Sequence, residues 1–318
     1  MGLQAGTNPQ SAIRNPQSSE LCGRLIICLS LAALLFALWT PRLEQAAMWS
    51  AKELRVLPRL SIFVLCALVA LILRGAEASA RRLLLLGLAS AGTALLVQAV
   101  FPCPETFAAV PKGPQILAGP VLSLLLFESC LLAAVLLGLW LGRNIEHCSG
   151  FIGLLLCAIA GDLWLNGWAR VPESVPLDHP LHLLRLPWPP ALGRLGLSPA
   201  FTDIVVLSAA MEASRKLRFH VLSIVLGGLA GYAAGSVLAL EPWLAPWTAW
   251  GCLSMVLFTS GVLVGCWPEL EWESVGIGKA LLLASLLMFV LLGSTVLHSR
   301  LQPRPQPPVD MARFKNAT

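Results

Sequence analysis

Between His220 and Glu241 the chain runs VLSIVLGGLAGYAAGSVLAL without a single charge. A stretch of about 20 apolar residues is what an α-helix needs to cross the hydrocarbon core of a bilayer, and hydrocarbon leaves the backbone no alternative to a helix or a closed barrel. The run has no alternation of apolar and polar residues, so it reads as a helix. It is one of nine comparable spans, at about 23–40, 57–73, 83–101, 114–141, 151–169, 198–214, 220–240, 243–265 and 277–298. Prolines at 41, 102, 104, 111, 114, 242 and 268, and the Pro-rich 172–199, divide them. Only 12% of the residues are charged, about half the share in a soluble domain, which agrees with the same reading. The fold class expected is an all-α integral membrane protein of about nine transmembrane helices, with the lipid bilayer as its first partner.

Four regions follow. Residues 1–22, with the near-duplication NPQSAIRNPQS, read as a disordered N-terminal tail. Residues 23–150 hold four spans, residues 151–265 hold four more around a loop at 170–198, and 266–318 hold the last span and a Pro-rich tail. Lysines and arginines divide almost evenly between the two faces, so they set no orientation. Arg24, Arg74, Arg82, Arg143, Arg215 and Lys216 fall on the face that carries the N-terminus, here side A; the opposite face is side B. The first apolar run lacks an A-x-A-like cleavage site and reads as a retained helix, with a bacterial inner membrane as the expected setting.

No Lys/Arg run is dense enough for a nucleic-acid face, so nucleic acid is not an expected partner. Cys28, Cys66, Cys130, Cys157 and Cys252 fall inside apolar spans, where cysteine acts as a small hydrophobe. His179 and His182 beside Asp178 lie among prolines with no third ligand nearby, so no metal is expected, nor any cofactor. HExxH and GxSxG are both absent from the sequence. Gly227, Gly231 and Gly235 mark a close helix-packing face.

The intramembrane acids carry the functional reading. Glu128 in the fourth span, Asp162 in the fifth and Asp203 in the sixth each cost about 2.5–3.5 kcal/mol at mid-bilayer, so such groups usually face the bundle interior and mark function. By helix rise, Asp162 lies roughly 12 Å and Asp203 roughly 8 Å below side B, within reach of each other across antiparallel neighbours. Two adjacent carboxylates share a proton, one as base toward water and the other as acid toward a carbonyl. Two other readings stay open from the residues alone. Asp162 can pair with Arg170 or Arg185 while Asp203 serves the first turn of a helix capped by Ser198, leaving a scaffold without chemistry. Alternatively, Glu128, Asp162 and Asp203 can pass protons or cations in a coupled transporter.

The region 151–265 resembles the catalytic half of the presenilin and signal-peptide-peptidase group, the GxGD-type intramembrane aspartyl proteases. AGDLW (160–164) holds Asp162 where that group has a Tyr-Asp motif, and PAFTDIVVLSA (199–209) holds Asp203 where it has Gly-x-Gly-Asp. The basic exit SRKLRFH, the Gly-rich span after it and EPWLAPWTAW, in the place of a Pro-Ala-Leu motif, follow in the same order. Gly161 stands for the tyrosine, Phe201-Thr202 for Gly-x-Gly, and the third motif is degenerate. The resemblance implies a presenilin-like bundle that cleaves a transmembrane peptide substrate without metal or cofactor. It implies Asp162 and Asp203 as the catalytic pair, and Pro242, Leu244 and Pro246 as substrate-binding residues. The 170–198 loop would then act as a gate.

Overall fold

The computed structural model describes residues 16–44, 51–100, 115–168, 201–238 and 252–266. Among these residues the chain forms eight α-helices and no strand. They are α1 (Pro16–Glu44), α2 (Ala51–Arg74), α3 (Ala80–Val100), α4 (Gln115–Arg143), α5 (Cys148–Trp168), α6 (Phe201–Leu217), α7 (Val221–Leu238) and α8 (Cys252–Cys266). The ninth expected span, 277–298, lies outside the described residues.

Two of the expected boundaries are corrected. α1 begins at Pro16, inside the segment read as a disordered tail, and runs through Pro41 to Glu44 instead of ending there. Proline is well suited to an early helical position, where its missing N–H costs nothing. Glu20 then ties to Arg24 one turn on, at 2.7 Å. Pro58 and Pro120 likewise lie within α2 and α4. The apolar runs around them carry the helix past a residue that alone would break it.

Among the described residues, two helices are long and apolar enough to cross a bilayer, Ala80–Val100 and the Leu124–Arg143 part of α4. The outside of the bundle is oily as well: Ile26 and Leu34 on α1, Leu68 on α2, Leu85, Leu88 and Leu96 on α3, Val121 on α4, Leu222 and Leu226 on α7 and Val264 on α8 are all exposed.

Small residues set how the helices meet. α7 and α8 are antiparallel and almost touch backbone to backbone: a Cβ on Gly227 would strike the Gly261 carbonyl, one on Gly231 the Leu257 carbonyl and one on Gly265 the Ser223 carbonyl. The expected packing role of Gly227 and Gly231 holds, with their partner now identified as the Gly261-x-x-x-Gly265 row. Phe63 of α2 closes this pair, stacking on Tyr232 at 5.0 Å and meeting Phe258 edge-on at 5.7 Å. A second seam joins α4 to α6, where Gly138 lies against Val205 and Ser208, and Gly142 against Ala209 and Glu212. Residue numbers rise together across it, so α4 and α6 are parallel. Cys66 lies near Asp203 and Arg74 near Glu212, so α2 is parallel to α6 too.

Candidate functional site

α6 is the helix on which the chemistry converges. Most of its length from Asp203 to Ser214 is buried, between α2, α4 and α5. Serine and alanine at 208, 209, 210, 213 and 214 let its neighbours approach closely. Two acids sit on it among those small residues, Asp203 in the first turn, 6% exposed, and Glu212 near the end, 4% exposed.

α5 packs against α6, and the Phe151 and Phe219 rings meet edge-on at 5.4 Å. The start of α5 therefore lies beside the end of α6, making the two antiparallel. From that contact Asp162 lies about 11 residues along α5, roughly 16 Å, and Asp203 about 14 residues back from the last residue of α6, roughly 21 Å. Both aspartates thus lie toward the end of the α5–α6 pair away from that contact. The Asp162 side chain lies outside the described residues, as do Pro242, Leu244, Pro246, the 170–198 loop and Asp178, His179 and His182. Ile204, Val206 and Leu207 on the same helix are buried, and the buried thiol of Cys66 on α2 lies within electrostatic reach of Asp203.

Glu128 departs from its expected place in the interior. It is only partly buried. By the α4–α6 register Asp203 is level with residues about 133–135 of α4, which puts Glu128 roughly 10 Å from it along the bundle.

The acid that the sequence reading passed over is Glu212. Its Oε1 accepts from Arg143 Nε at 2.9 Å, Arg74 Nε lies 3.8 Å from its Oε2 and Arg215 Nη1 lies 3.8 Å from its Oε1. Arg143 is pinned in turn: its guanidinium donates to the Ala78 carbonyl and, at 3.4 Å, to that of Ala76, in the link between α2 and α3. Arg74 Nη2 donates to Ser214 Oγ at 2.9 Å, and that hydroxyl donates to the Met211 carbonyl at 2.7 Å. Lys216 Nζ caps the end of α4 through the Arg143 carbonyl at 2.5 Å, and Asn144 caps the Trp140 carbonyl at 2.8 Å. Past this knot α6 stops at Arg218, whose left-handed φ of 59° turns the chain so that the Phe219 N–H reaches the Ser214 carbonyl at 3.1 Å. The grouping of Arg74, Arg143, Arg215 and Lys216 on side A, expected from the spans, is observed at one end of the bundle.

Comparison of the chain with models of protein families, with curated proteins and with solved structures finds no match. Two buried carboxylates share one helix, and they are suited to different work. Glu212 is surrounded by guanidinium groups in a fixed network, which fits a structural tie between α2, α4 and α6. Asp203 is buried in the first turn of α6, on the helix that packs against the one that carries Asp162.

Proposed function

We propose that the chain is an integral membrane protein of about nine helices, and an intramembrane aspartyl peptidase-like protein in which Asp162 and Asp203 form the working pair. The observation that carries the reading is the antiparallel packing of α5 on α6, with both aspartates away from the Phe151–Phe219 contact. In a dry interior a single proton shared by the pair makes one carboxylate a base and its partner an acid. The ionised aspartate takes a proton from water, and the water oxygen attacks the carbonyl carbon of a peptide bond. The protonated aspartate hydrogen-bonds the carbonyl oxygen as the tetrahedral intermediate forms. Collapse of that intermediate breaks the C–N bond, and the leaving nitrogen takes a proton from the pair. The substrate is a transmembrane peptide, held extended by residues 242–247.

Glu128, partly exposed and roughly 10 Å from Asp203 along the bundle, weighs for a two-carboxylate site over a three-acid relay. The test is cleavage of a model transmembrane peptide by purified protein. The unaltered protein cleaves, and Asp162→Asn and Asp203→Asn each lower the rate by about 10²–10⁴-fold. Equal rates in all three remove the assignment.

A further inference from the structure

At the end of the bundle where Glu212 is tied, the α2–α3 link, the first turn of α3 and the last turns of α4 and α6 enclose an open cleft of about 720 Å³. Four cations line it, Arg82, Arg143, Arg215 and Lys216, against two carboxylates, Glu77 and Glu212. The cations are not equivalent. Arg143 is committed to Glu212 and to two backbone carbonyls. Arg215 is about half exposed and reaches Glu212 only at 3.8 Å. Lys216 is similarly exposed, with its nearest carboxylate, Glu146, also at 3.8 Å. Arg82 is exposed, and among the described residues its guanidinium makes no hydrogen bond or ion pair.

The backbone favours the same sign of ligand. α3 starts in the cleft wall at Ala80, with Ser79 accepting the Arg82 N–H at 3.3 Å, so the positive end of a 21-residue helix dipole opens where Arg82 stands. Because Arg143 absorbs the buried carboxylate, the other cations keep donors for something else. Guanidinium forks and an ammonium around an open space suit a tetrahedral oxyanion with several acceptor oxygens.

We infer that this cleft is a phosphate-binding site, with Arg82, Arg215 and Lys216 as the ligand-contacting residues and the Arg143–Glu212 pair as the rigid wall that positions them. Two sources offer that chemistry. The cleft lies at the end of helices whose outer surface is apolar, the level at which the headgroup phosphate of an anionic lipid would be met. Free phosphate is the other. The site lies at the opposite end of α6 from Asp203 and does not depend on the peptidase reading.

The experiment uses the full chain purified in neutral detergent, and reads its thermal midpoint and the lipid it retains in native mass spectrometry. The probes are phosphatidylglycerol, phosphatidylcholine and inorganic phosphate. The comparison variant is Arg82→Gln/Arg215→Gln/Lys216→Gln, which keeps Arg143 and Arg74 on Glu212 and gives up the Arg215 contact at 3.8 Å and the Lys216 bond to the Arg143 carbonyl. If the triple variant does not fold, Arg82→Gln alone serves, since that side chain holds nothing else among the described residues.

Phosphatidylglycerol is expected to raise the midpoint of the unaltered protein where phosphatidylcholine does not. The half-saturating amount should increase by about fivefold for each cation removed. If inorganic phosphate protects instead, with the same loss in the variant, the ligand is free phosphate. Protection of the variant equal to that of the unaltered protein, or protection by neither anionic probe, overturns the inference.

Discussion

The two ends of α6 hold carboxylates about nine residues apart, and their surroundings differ. At the far end Glu212 meets Arg143 at 2.9 Å and two further arginines at 3.8 Å, in a network that ties α6 to α2 and to the α2–α3 link. At the near end Asp203 is buried in the first turn of the helix that packs against α5, close to Cys66 of α2. Burial alone therefore says little about what an acid does. An acid tied by several guanidinium groups fits a structural tie between helices.

Removing each charge in turn is the most direct way to break this contrast. Glu212→Gln strands three arginines and should lower unfolding free energy by about 3 kcal/mol, as expected when one member of a buried ion cluster is lost. Asp203→Asn, of nearly the same shape, should cost less than about 1.5 kcal/mol while stopping cleavage. Chemical unfolding in detergent reads both, and a reversal of the two costs would invert the roles assigned here.

The α4–α6 seam tests the contrast next. A methyl at Gly138 or Gly142 meets a backbone carbonyl of α6, so Gly138→Ala and Gly142→Ala should each destabilise by about 2 kcal/mol. Gly138 lies nearer the Asp203 end, so its variant should also slow cleavage more than Gly142→Ala does; equal slowing would detach the seam from the site. Arg143→Lys sharpens the picture further. It keeps the charge but loses the planar fork that joins Glu212 to the α2–α3 link, and should cost about 1–1.5 kcal/mol in the same unfolding assay. The smallest effect expected is that of Cys66→Ala, about 1 kcal/mol for one buried sulfur, with cleavage retained. Loss of cleavage there would make the thiol part of the site.

The helices were legible because run length is a direct physical requirement: each of the eight overlaps an expected span, and the start expected for the α8 span, at 243, lies outside the described residues. α1 departs from its span at both ends, where local proline rules pointed to a tail and a break that the structure replaces with helix. The packing role of Gly227 and Gly231 was legible from their four-residue spacing. The rows Gly138–Gly142 and Gly261–Gly265 carry the same signal, but no spacing reveals which row meets which. Glu212 illustrates the harder limit. In MEASRK it looks like a solvated helix end beside Arg215, because Arg74 and Arg143, the partners that bury it, are far away in the chain and arrive only when α2, α4 and α6 assemble. The one clue was that those arginines share side A with it. For Asp162 and Asp203 the sequence supplied depth along each helix, and the structure adds that those helices are antiparallel neighbours.

That neighbourhood is measured most directly by cross-linking. In a cysteine-free background, Asp162→Cys with Asp203→Cys is oxidised in membranes and the chain is then cut between residues 170 and 198. The account predicts that the two fragments stay joined until reduced, while Asp203→Cys paired with Gly150→Cys, at the opposite end of α5, separates. Fragments that separate for the first pair, or stay joined equally for both, would contradict it.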